Sequence, residues 1–228
     1  MITANATTIE SRANVNTLKK ERRSSQGGEP GILTDIYNED INIATWQRDL
    51  PTSLQLAISS FLVSKPRFQA TMTVSPESVS ASVSEVMGRT EQPELVEDIT
   101  ELVHMFCYLF ELSYVGLRLT ALDKAMCPKF HVDKIPCRLV TTYQGIATEW
   151  LPHRVVNRTK LGSGSNGLSD SESGLYQQES DIQQLTSGEV ALLKGENWYA
   201  NERAGLVHRS PQIPDGEHRL LLTLDFAD

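Results

Sequence analysis

At 228 residues the chain can bury one sizeable core, and its 29 Asp and Glu against 21 Lys and Arg leave a net charge of -8. No Lys/Arg stripe interleaved with aromatics is present, which argues against nucleic acid as a ligand. Without an apolar run long enough for a signal peptide or a membrane span, and with three cysteines at Cys107, Cys127 and Cys137 too sparse for a disulfide framework, the expectation is a cytoplasmic protein with reduced thiols and no membrane partner.

Residues 1–30 are polar, carry the cluster KKERR and end in GGEPG, which predicts a disordered leader with the basic run solvated. Residues 31–228 are then expected to form a single domain. Its first part, 31–113, reads as helical support. After Pro51, residues Leu54, Ile58, Phe61 and Leu62 recur at helical spacing. From Glu94 the pattern repeats with Leu95, Ile99, Leu102, Val103, Phe106 and Phe110 on one face, acidic residues early and no Gly or Pro inside. Cys107 falls in that apolar stretch and is expected in the core.

From residue 114 the period changes. Val115, Leu117, Leu119 and Ala121 alternate with Arg118 and Thr120, and the runs CRLVTTYQG, SGEVALLKG, AGLVHRSP and HRLLLTLDF follow, bounded by turn residues. Helices followed by short strands with no crossover helices between them predict an α+β fold, mainly antiparallel strands in a sandwich or barrel with the helices packed on one side. The Gly/Ser-rich segment 161–181 reads as a flexible insertion.

The stretch CPKFHVDKIPC carries the chemistry. In an extended strand His131 and Asp133, at i and i+2, project from one face about 6.5 Å apart. His208, in a late β-rich run, is the candidate third ligand, and Arg219 follows in the last strand. Two imidazoles and one carboxylate that leave the remaining positions open suit Fe(II), and a planar guanidinium suits bidentate capture of a carboxylate. Arg209 is the rival for that second task, but alternation sets it opposite His208. Tyr143 and Thr141 share one face of CRLVTTYQG, where a phenol could donate to a bound carboxylate or simply pack. Trp150 is a candidate pocket wall or a core tryptophan. Cys127 and Cys137 raise Zn as an alternative metal, although no Cys-x-x-Cys occurs. His104, His153 and His218 have no partner at ligand spacing and are assigned to structure or solvent.

The order His131-x-Asp133, His208, Arg219 on β-rich segments resembles the double-stranded β-helix Fe(II)/2-oxoglutarate dioxygenases over roughly residues 114–226. The stretches IATWQRDLP, CPKFHVDKIPCRLVTTYQGIATEWLP, LLKGENW and LVHRSP also resemble a bacterial family catalogued as domain of unknown function 1826, which carries no established activity. The first resemblance implies a jelly-roll, cupin-like core over 114–228 and iron on His131, Asp133 and His208. It also implies 2-oxoglutarate anchored by Arg219, with Tyr143 and Thr141 as further cosubstrate contacts, and hydroxylation of a small-molecule or protein substrate. Two alternatives stay open: a non-catalytic metal-binding β-helix protein in zinc homeostasis or sensing, and an oxygen-dependent enzyme that needs no 2-oxoglutarate. Substrate and oligomeric state are not set by the sequence.

Overall fold

The computed structural model describes residues 21–88 and 92–227. In chain order it runs β1 (Arg23–Gly27), a 3-10 helix (Pro30–Tyr37), β2 (Ile41–Trp46), α1 (Thr52–Ser64), β3 (Gln69–Val74), α2 (Val79–Met87) and α3 (Pro93–Phe110). Then come β4 (Val115–Leu122), β5 (Cys137–Gln144), β6 (Glu149–Leu151), β7 (Gln183–Gln184), β8 (Val190–Lys194), β9 (Val207–Arg209) and β10 (Arg219–Phe226). Both expected helices form where their periodicity sets them. Leu54, Ala57, Ile58, Phe61 and Leu62 are the buried face of α1. α3 begins with Pro93, buries Leu95, Ile99, Leu102, Val103, Phe106 and Cys107, and ends at Glu111 in the left-handed region, whose N–H closes on the Cys107 carbonyl.

The strands make two sheets. The larger has the order β1-β2-β8-β5-β10-β4-β3, the smaller β7-β6-β9, and every pairing is antiparallel except β1 with β2. From β4 onward the chain passes back and forth between them: β4 in the large sheet, a bridge at His131 beside β9, β5 in the large sheet, β6 and β7 in the small one, then β8, β9 and β10 alternately. One apolar cluster, with Phe61, Leu102, Phe106 and Leu222 fully buried, packs the helices onto the large sheet. A second, around Ile43, Val140, Ala191 and Leu221, fills the space between the sheets.

Four sequence expectations need correction. The segment 31–113, read as helical support, also contributes β2 and β3 to the large sheet. The leader reaches less far than residue 30: Arg23–Gly27 form an edge strand parallel to β2, which supplies its backbone partners. Nor is the basic cluster wholly solvated, because Arg22 is buried and its Nε donates to Asn201 Oδ1 at 2.9 Å. Residues 1–20 lie outside the described residues. The Gly/Ser-rich insertion, read as flexible, is tied down by two apolar side chains: Leu175 and Tyr176 bury against Phe130, Leu151, Val156 and Val207 on the outer side of the small sheet. No helix among the described residues is long and apolar enough to cross a membrane.

Candidate metal centre and its pocket

His131 and His208 are brought together by backbone before side chains enter. Each donates its N–H to the other's carbonyl at 3.0 Å, a two-bond antiparallel bridge that sets both imidazoles on one face with ring centroids 4.6 Å apart. Asp133 follows two residues later. Its carbonyl is held at 2.9 Å by the Glu196 N–H in the turn after β8, where Gly195 passes so close that a Cβ would stand 2.0 Å from the Ile135 carbonyl oxygen.

The donor atoms converge. Ligand atoms of His131, Asp133 and His208 all lie within 4.8 Å of one another. The Asp133 carboxylate stands 3.8 Å from His131 Nε2 and 3.5 Å from His208 Nε2. Each imidazole uses its other nitrogen on a backbone carbonyl: Nδ1 of His131 on Lys129 O at 2.9 Å and Nδ1 of His208 on Leu206 O at 3.3 Å. A carbonyl accepts only, so each Nδ1 carries the hydrogen and each Nε2 is left as a lone-pair donor toward the cluster. That tautomer fits a metal.

Electrostatics point the same way. Burial and the neighbouring His208 hold His131 below its ordinary range, which keeps the imidazole neutral. Burial alone would raise Asp133, but the nearby His208, then Arg138 and His131, bring it down to about 2. Arg138 donates Nη1 to Asp133 Oδ2 at 2.8 Å, and its Nε and Nη2 meet the two oxygens of Asp225 at 2.8 and 2.7 Å. This orients the carboxylate, with Oδ1 toward His131 Nε2 and Oδ2 toward His208 Nε2.

Arg219 stands at the back of the same pocket, which His131, His208, Thr148 and Ser210 also line. It is 0% exposed, yet its donors meet only hydroxyls: Thr142 Oγ1 at 3.2 and 2.9 Å, Thr148 Oγ1 at 2.8 Å and Ser210 Oγ at 3.0 Å. Burial without a carboxylate pulls its pKa down to about 10, still cationic at neutral pH. An isolated buried charge is costly, and hydroxyl dipoles are what this guanidinium has in place of a counter-charge among the described residues. Arg209 does not compete for the capture of a carboxylate. It is engaged by Glu149 at 2.6 Å and Asp170 at 3.2 Å and lies over the Phe130 ring.

The expected cosubstrate contacts Tyr143 and Thr141 are on the wrong face. β5 presents Arg138, Val140 and Thr142 to the pocket, so Cys137, Leu139, Thr141 and Tyr143 turn toward the helices. There the Tyr143 hydroxyl donates to Asp98 of α3 at 2.7 Å, and the place foreseen for Thr141 is filled by Thr142. Cys137 lies on that same far face, fully buried, with its thiol pushed up by desolvation. Cys127 lines the pocket but is not among the clustered ligands. Trp150 pairs with His208 across β6 and β9 and packs on the inter-sheet core. His104 reaches the Pro76 carbonyl at 2.9 Å and His153 is buried 3.2 Å from Arg158, both away from the cluster. Arg138, Thr148 and Ser210 were not foreseen; no spacing in the sequence ties them to His131.

Among solved structures, the fold is similar to a dioxygenase for auxin oxidation from rice (11% identity, 90% of this chain and 82% of that one, TM-score 0.48). It is also similar to a prolyl-4-hydroxylase from Pseudomonas putida (11% identity, 86% and 96%, TM-score 0.43). A third similar structure is HygX from Streptomyces hygroscopicus with iron bound (13% identity, 80% and 80%, TM-score 0.42). No curated protein matches the sequence. The family model described as "Protein of unknown function (DUF1826)" matches residues 27–225, nearly the whole described chain, and the protein belongs to that family.

Proposed function

We propose that the chain is an Fe(II)- and 2-oxoglutarate-dependent oxygenase, with its two sheets from β4 onward forming a double-stranded β-helix. The observation that carries this reading is the pairing, in one pocket, of an open His/Asp/His cluster with a buried arginine supplied only with hydroxyls. His131, Asp133 and His208 are the proposed iron ligands; a two-imidazole, one-carboxylate set without thiolate favours iron over a closed zinc site. Iron held there supplies the centre at which oxidative decarboxylation of 2-oxoglutarate is coupled to hydroxylation of a substrate C–H.

The chain's own residues do the rest. Arg219 anchors the distal carboxylate of the 2-oxo acid, with Thr142, Thr148 and Ser210 holding the guanidinium in place. Arg138 keeps the Asp133 carboxylate turned toward the cluster. The inter-sheet apolar cluster excludes water beneath the site. Three free cysteines support a reducing compartment, and the proposed location is the cytoplasm.

Ligand substitution tests the reading. His131→Ala, Asp133→Ala and His208→Ala should each abolish stoichiometric Fe(II) binding and conversion of 2-oxoglutarate to succinate, while His104→Ala, on the surface of α3, keeps both. Retention of metal and turnover in all three ligand variants, or equal loss in the control, would overturn it.

A further inference from the structure

One wall of the pocket continues into a ledge of exposed polar side chains. β3 is the edge strand of the large sheet, and its Gln69, Thr71 and Thr73 are exposed at alternate positions. The register sets Thr71 opposite Arg118 on β4, and Arg118 opposite Thr223 on β10. Directly opposed residues share a face, so the three form one row across the sheet. Arg118 and Thr223 both line the pocket that contains His131, His208 and Arg219. The row therefore starts at the open edge and runs into the site.

Charge separates Arg118 from the other arginines of the pocket. Arg138 is held by Asp133 and Asp225, and Arg209 by Glu149 and Asp170. Arg219 is assigned to the cosubstrate. Arg118 is exposed and has no carboxylate partner among the described residues; the acid nearest in register, Asp225, stands opposite Gly116 and gives both oxygens to Arg138. In the loaded site the divalent iron, Arg138 and Arg219 balance Asp133, Asp225 and the dianionic 2-oxo acid. The second acid of the Arg209 pair is held by that arginine, so Arg118 is left as the exposed pocket arginine with no carboxylate in contact among the described residues.

We infer, resting on the oxygenase reading above, that Arg118 binds the substrate through an oxyanion, and hence that the substrate is an acidic small molecule. Its anionic group lies on the ledge between Thr71 and Thr223, and the carbon to be oxidised points at the His131/Asp133/His208 cluster. From Arg118 to Arg138 the path crosses two inter-strand spacings and a two-residue offset along the strand, about 12 Å, which sets the reach such a molecule needs. The threonine hydroxyls supply donors to a carboxylate, phosphate or sulfonate alike.

The probes are benzoate, phenyl phosphate, benzenesulfonate and neutral benzamide, bound to the full chain loaded with Zn(II) and saturating 2-oxoglutarate and read by saturation-transfer NMR. One or more of the anions should bind, and benzamide should not; their relative strength identifies the oxyanion. Arg118→Gln should weaken anion binding about tenfold or more, Arg118→Lys should restore part of it, and Arg154→Gln, on a different surface groove, should change nothing. Equal binding of benzamide, unchanged anion binding in Arg118→Gln, or displacement of the probes by further 2-oxoglutarate overturns the inference. Failure of the wild-type protein to hold 2-oxoglutarate would instead overturn the oxygenase reading.

Discussion

Thr142 and Tyr143 are neighbours on β5 that face opposite sides of the large sheet, and each touches a system containing an arginine, half-buried on one side and fully buried on the other. On the helix side Arg48 makes two bonds to Asp98, at 2.7 and 3.0 Å, Tyr143 adds a third at 2.7 Å, and the Arg48 Nε is satisfied by the Gly188 carbonyl. Every charge there has its opposite. On the pocket side Arg219, more deeply buried, is given hydroxyls and no carboxylate. A closed ion pair fastens a helix to a sheet. A buried arginine held by the hydroxyls of Thr142, Thr148 and Ser210 has no counter-charge in contact among the described residues.

The largest effects come from swapping each arginine for methionine of similar length. Arg48→Met leaves the half-buried Asp98 without its cation and should cost about 3 kcal/mol in urea denaturation, with 2-oxoglutarate affinity of the surviving folded protein unchanged. Arg219→Met removes a charge that has no carboxylate to abandon. Its unliganded stability should stay within about 2 kcal/mol of wild type, the loss limited to hydroxyl partners, while 2-oxoglutarate affinity falls by roughly 100-fold or more in anaerobic titration. Matching destabilisation by both substitutions would erase the distinction.

Acidification should separate the two sides next. Metal binding at the cluster requires neutral imidazoles, so Fe(II) affinity should fall about tenfold or more between pH 7 and pH 5 as protons compete at Nε2. Asp133 behaves differently. Its pKa is depressed from 3.8 to about 2, so its stabilising contribution is fully present above 3.8 and is lost only as pH falls toward 2. The unfolding midpoint in urea, read without metal, should therefore fall over the interval in which the metal leaves only by the share of His131, whose depressed pKa costs stability as pH drops through the ordinary imidazole range. A parallel loss of both would mean that the cluster is part of the structural framework.

The sequence was legible where one periodicity dominated. α1 and α3 are amphipathic over several turns, and β4, β5, β8, β9 and β10 fall on short β-rich runs between turn residues, so their positions could be read. So could the i, i+2 relation of His131 and Asp133. The faces of β5 could not: five of its central residues are buried whichever way they point, so hydrophobic alternation carries no information on which set meets the pocket. β2, buried on both faces, was passed over for the same reason. α2 buries Val79, Val83 and Met87 at four-residue intervals, but its serine-rich remainder favours caps and turns over helix interiors and masked the signal. Thr142, Thr148 and Ser210 meet at Arg219 only because three separate segments converge there, a fact of topology that no local pattern contains.

The finest test uses the adjacent pair itself. Thr142→Val keeps shape but deprives Arg219 Nε and Nη2 of a shared acceptor, so the guanidinium loses part of its orientation and 2-oxoglutarate affinity should fall about tenfold. Tyr143→Phe deletes one of three hydrogen bonds to Asp98 and leaves both from Arg48, costing about 1 kcal/mol of stability with no change in 2-oxoglutarate affinity. One residue apart on the same strand, the first should be read in ligand titration and the second in denaturant alone. A reversal of the two readouts would put the cosubstrate on the helix side of β5, against the assignment of Arg219 as its anchor.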